Sequence, residues 1–213
     1  MRLLLAALLC AAPLAAGSDF AACFEDATLR VDFVHVGHAG EEHLVLERLW
    51  RQGPWAGSRV NLVDPSPLGA YELLARDRES GRVLCSRRWD GIFHAYKTTP
   101  PGREGVRRAI RGSVLLPFPR APLTLEFGVR DRLTGRRREL LALPLDPADP
   151  SIVRGTPDAA EVIEVHTPAA PENACDILVL AEGYASAERE KFRSDLARLC
   201  AALLAEQPFA GLR

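Results

Sequence analysis

Eight short runs of strand-like residues fill positions 29–145, and no amphipathic helix of useful length interrupts them. They read LRVDFVHV, HLVLERLW, YELLARD, RVLCSRRW, IFHAYK, AIRGSVLL, LTLEFGVR and RELLALPL. In HLVLERLW the alternation sets Leu44, Leu46 and Trp50 on one face and His43, Val45 and Glu47 on the other. Gly, Pro, Asn and Asp fill the gaps. Strands of this length, so closely spaced by turn residues, predict an antiparallel β-sandwich over residues 27–145. Two turns, RDRESGR at 76–82 and RDRLTGR at 130–136, place Gly81 and Gly135 where tight hairpins need positive φ. Their flanks do not match, so shared turn chemistry explains them better than an internal duplication.

What flanks this block differs from it. Leu3 opens an apolar run of about ten residues after Arg2, the length of a signal-peptide core rather than a membrane span. Pro13 breaks it, and Ala15 and Gly17 supply small residues before Ser18, so residues 1–17 read as a signal peptide. A lipoprotein reading would use Cys23, although Asp19 sits badly in such a signal. No other stretch is apolar enough to span a membrane, and the expected location is secreted or periplasmic. Export leaves Cys23, Cys85, Cys175 and Cys200, whose pairing the sequence leaves open; one disulfide and four unpaired thiols are both compatible with it. Without C-x-x-C spacing a structural zinc site is not expected.

Residues 146–173 are rich in Pro and Asp and read as a linker, with EVIEV at 161–165 as one possible strand. Beyond it the periodicity changes. DILVL at 176–180 has the look of a short buried strand, Gly183 and Tyr184 turn the chain, and Phe192, Leu196, Leu199 and Leu203 recur at helical spacing within about 186–206. Strand, turn and helix form an incomplete α/β segment over 174–213.

The one His/Glu cluster is His35, His38, Glu41, Glu42 and His43. Zinc peptidases place two His one helical turn apart in H-E-x-x-H, so that both face one metal. Here His38 and His43 are five apart, and a polar surface hairpin accounts for the cluster better. Cys85 with His94 as nucleophile and base lacks an orienting partner. Asp176 and Glu182 flank the last strand, where helix-start acids are common. No residue is therefore assigned a catalytic, cofactor-binding or metal-binding role. Residues 76–138 hold 16 basic and 6 acidic side chains, against a net charge of −1 for the whole chain. That excess, with Arg107, Arg108 and Arg111 at its centre, motivates an alternative function as an exported module binding an acidic glycan or a protein. Aromatic interleaving is too thin for nucleic acid.

Glu41, Glu42 and His43, the Gly-Pro-Trp at 53–55, Leu68-Gly69 with Tyr71, and Ser86-Arg87 before Gly91 are together similar to the N-terminal domain of the IgA-peptidase family of secreted zinc metallopeptidases. DILVLAEGYASAEREKF then resembles the start of that family's catalytic domain, through Gly183, Tyr184, Glu188, Lys191 and Phe192. The resemblance implies a bacterial protein in which a β-sandwich precedes a zinc-dependent peptidase domain, a partner in cis. Its H-E-x-x-H helix lies downstream of the matched region, so no ligand or catalytic Glu carries over, zinc belongs to the full-length family, and this chain reads as a truncated, inactive accessory part. Ala185 stands where the family often has a helix-capping Thr, leaving Ser186 to take over.

Overall fold

A computed structural model describes residues 20–66, 68–131, 134–155, 162–166, 169–170, 174 and 177–211. Residues 1–17, expected to be a signal peptide, lie outside them, as do Cys175 and Asp176.

Two four-stranded sheets pack face to face, as the alternation predicts. One has the order β5-β1-β2-β8, from Arg108–Pro119, Phe24–His38, Glu41–Gln52 and Val153–Arg154. The other has the order β4-β3-β6-β7, from Val83–Trp89, Tyr71–Asp77, Leu123–Arg130 and Arg137–Leu145. All pairings are antiparallel except β2 with β8. Leu29, Val31 and Phe33 of β1 face Leu73 of β3 and Leu125 and Phe127 of β6 across the core, and Phe33 meets Phe127 edge-on at 5.5 Å. The two look-alike turns close the β3–β4 and β6–β7 hairpins in the same way. Asp77 and Asp131 each accept from a Ser or Thr three residues on, and Gly81 and Gly135 take φ of 69° and 68°.

Three expectations change within the sandwich. IFHAYK is helical, forming α2 (Ile92–Tyr96) after α1 (Phe20–Cys23). Phe93 and Tyr96, three apart, share one face of a helix and are both buried, whereas Ile92 is exposed; a strand would have pointed Phe93 and Tyr96 to opposite sides. Thr99 then caps the short α3 (Pro100–Arg103), with Pro at its first position. The second change is in β2. The register slips between Asp32 and Phe33, leaving Glu47 as the extra residue of a bulge. The slip reverses the alternation beyond it, so Leu49 joins Leu44 and Leu46 at the core. Trp50 goes to the outer face instead, its indole N–H donating to Asp32 at 2.8 Å.

The third change concerns the strand contributed after residue 146. It is β8, beside Trp50 and Arg51, and residues 162–166 carry no strand. Ile152 just before β8 is 3% exposed and belongs to the sandwich core. A chain ending at Gly155 is therefore expected to unfold within about 2 °C of the whole chain. Ending at Asp146 removes Ile152 and β8 and should cost the sandwich about 1.5–3 kcal/mol. Thermal and urea unfolding of the three lengths checks both.

Beyond the sandwich the helix is present as α4 (Arg189–Leu203), entered through a tight turn at Ser186–Glu188. The missing hydroxyl at Ala185 is offset from the other side, because the Glu188 carboxylate accepts the Ala185 N–H at 2.9 Å. Residues 177–180 form no strand, and Ile177, Leu178 and Leu180 are exposed. A strand satisfies its backbone groups only through neighbours, and none lies beside this run among the described residues. Of the helix stripe, Leu196 is buried while Leu199 is exposed.

Candidate functional site

The chemistry of the sandwich concentrates at one end, around Glu42. Strand β2 points Glu42 inward, in phase with Leu44, while Glu41 and His43 point out. Opposite it stands Gly37, with φ of 140°, where a Cβ would lie 2.1 Å from the Glu41 carbonyl oxygen. Glu42 Oε2 receives His35 Nε2 at 2.9 Å and the Tyr71 hydroxyl at 2.8 Å. Glu42 Oε1 receives Lys97 Nζ at 2.9 Å and Arg138 Nη2 at 3.1 Å. His35 stacks on Phe93 at 3.8 Å and meets Tyr71 edge-on. Four side chains, from β1, β3, β7 and the end of α2, thus meet at one carboxylate on β2.

Burial by itself pushes the Glu42 carboxyl up. The hydrogen bonds from His35 and Lys97, the Lys97 charge and the Tyr71 hydroxyl outweigh it and hold the group down at about 2. An ionised carboxylate only accepts, so His35 carries a proton on Nε2. Burial, then the adjacent Glu42 charge, keeps the Tyr71 phenol protonated far above its ordinary range.

A carboxylate offers about four lone-pair sites, and all four are taken here. Glu42 has none left for a metal ion. The surface-hairpin reading therefore fails for His35 and Glu42, which are buried, and describes only the rest of the cluster. His38 Nδ1 accepts the Gly40 N–H, and His43 pairs with Glu41, which also meets Arg107. Among the described residues no group of three or more His, Cys, Asp or Glu is placed to hold a metal. Cys85 lies fully buried among the core residues of the sandwich, and burial pushes its thiol up to about 11. A neutral buried thiol is inert as a nucleophile, and His94 sits instead against Tyr71. Cys23, Cys85 and Cys200 are free thiols. Glu182 is exposed in the turn before α4.

The basic excess of residues 76–138 is matched in part by carboxylates that the strands bring to it. Arg107 reaches Glu41 and Arg111 reaches Glu47, while Arg108 lies over the Tyr96 ring. On the outer face of β3 and β6, Arg88 and Arg137 enclose Glu72, and Arg76 pairs with Glu126.

A second cluster sits on the flank of the sandwich. Trp55 is buried, its N–H donating to the Asp26 carboxylate and its indole to the Ser58 carbonyl. The Arg87 guanidinium lies 5.2 Å above the Trp55 ring. Gly57 packs beneath the same ring, where an added Cβ would come within 2.3 Å of it. Gly57→Ala is therefore expected to displace the indole and cost about 1–3 kcal/mol, read as a lower urea midpoint with altered tryptophan fluorescence.

The residues that carried the sequence resemblance are paired in space by this geometry. Glu42 bonds to Tyr71, and Trp55 stacks with Arg87. The family model of the peptidase M64 N-terminus matches residues 19–140. The chain belongs to this family. No curated protein matches it. The region matched by the M64 N-terminal model runs from the segment before α1 into β7, and so takes in both clusters. Sequence reasoning missed Tyr71, Lys97 and Arg138 as partners of Glu42. One signal was present, since Glu42 is an acid in the apolar phase of β2.

Proposed function

We propose that this chain supplies the non-catalytic N-terminal domain of an exported zinc metallopeptidase, and that alone it is inactive. The M64 N-terminal match over the sandwich carries the reading. The state of its ionisable groups supports it. The buried acid is fully engaged and the buried thiol is neutral, so neither is poised for general-base or nucleophilic work. None of the 213 residues forms H-E-x-x-H. A rigid sandwich that satisfies its own buried charge is suited to position or shield a peptidase domain in the same polypeptide. The purified chain is expected to hold no stoichiometric zinc and to show no chelator-sensitive proteolysis. Zinc near one equivalent, together with proteolysis that a chelator abolishes, would overturn the proposal.

A further inference from the structure

On one flank the outer strands β4 and β5 approach each other over part of their length and leave a gap beside Trp55. Along β4 the preceding loop covers the edge, where the Ser86 N–H donates to the Leu62 carbonyl and the Asp64 N–H to the Ser86 hydroxyl. Among the described residues strand β5 has a ladder to β1 alone and is the last strand of its sheet. Between the edges opens a cavity of about 640 Å³, lined in part by Trp55, Arg87, Trp89, Ser113, Val114 and Leu115.

The lining contains two arginines and no carboxylate. Arg88 is already matched by Glu72 on the outer face. Arg87 is different: it stands opposite the fully buried Leu73 in the register of β3, so it points between the sheets. It donates to the Ser86 carbonyl at 2.8 Å and lies on Trp55, and it meets no carboxylate among the described residues. Leu115 on the rim is 47% exposed.

We propose that this flank binds an extended acidic peptide strand, which adds to the free edge of β5 and sets a carboxylate on Arg87. Main-chain hydrogen bonds to an edge give affinity, and alternate side chains entering pockets give specificity. A strand added about 4.8 Å from β5 would direct every second side chain toward Trp89, Val114 and Arg87. Arg87 stands on β4, across the flank from that edge, so a neutral strand paired to β5 would face an inward charge. The same charge favours a strand that brings its own carboxylate, since a charge-assisted contact is formed in place of an unmatched cation. This inference does not depend on the accessory role in a peptidase.

The test titrates the purified chain with end-capped peptides of roughly ten residues, one alternating Val and Glu and one alternating Val and Lys, followed by tryptophan fluorescence. The Glu peptide is expected to bind at least about tenfold more tightly than the Lys peptide. Arg87→Gln and Leu115→Glu should each weaken it by about tenfold or more. Leu115→Glu alters only the exposed rim, so it decides the matter if Arg87→Gln fails to fold. N-methylation of alternate amides in the Glu peptide should abolish binding. Failure of the Glu peptide to bind, or equal binding of both peptides, overturns the proposal. Undiminished binding after N-methylation, or equal displacement by free glutamate, would show a simple anion site and overturn it as well.

Discussion

Glu42→Gln is expected to remove about 3–5 kcal/mol of folding stability, the scale for breaking a buried ion pair from one side. The amide keeps the shape of the carboxylate but loses the charge that Lys97 and Arg138 were placed to meet. One of its two heteroatoms becomes a donor and confronts groups that already donate. Lys97 is left with its side chain 16% exposed and no counter-charge. Arg138 is 59% exposed and regains water, so Arg138→Gln should cost less than about 1 kcal/mol. The contrast between Glu42→Gln and Arg138→Gln separates the loss of a buried charge from the loss of an exposed one. For a domain whose whole stability is about 5–15 kcal/mol, Glu42→Gln brings the sandwich near its limit. Urea unfolding should show the midpoint falling with an unchanged slope. A loss under about 1 kcal/mol would mean that Glu42 behaves as a surface acid.

The same carboxylate should make the sandwich sensitive to acid. Glu42 is held at about 2 in the folded chain against an ordinary 4.5. Between those values the unfolded chain binds the proton and the folded chain does not, so stability rises with pH. The contribution is complete above about pH 4.5 and is lost as pH falls through about 2. A depression of this size corresponds to about 3 kcal/mol. Glu126, held down by its hydrogen bond from Arg76, adds in the same direction. Stability measured from pH 6 to 2 should fall steeply in the wild type and more gently in Glu42→Gln, the two curves converging at the acid end. Parallel curves would show that other carboxylates govern acid unfolding.

Much of the sandwich was legible locally. Seven of the eight strand-like runs are strands, because a two-residue period and Gly or Asp turn chemistry act over a few residues. IFHAYK was misread because a run of six cannot by itself separate alternation from a helical i, i+3 pair. Trp50 was placed on the wrong face because a bulge leaves no mark in a single strand; it exists only in the register with β1. DILVL was expected to be buried from its composition alone, and burial needs neighbours that composition does not supply.

The sequence by itself determined seven of the strands, the turn positions, the helix at the end of the chain and the family resemblance. All of these rest on short-range pattern or on residue order. Only the tertiary structure decided what Glu42, His35, Arg87 and Cys85 are. The partners of Glu42 lie 29, 55 and 96 residues away, at Tyr71, Lys97 and Arg138. A carboxylate's charge state depends on burial and on the donors around it, so its chemistry is fixed only when two sheets and a crossover helix close upon it.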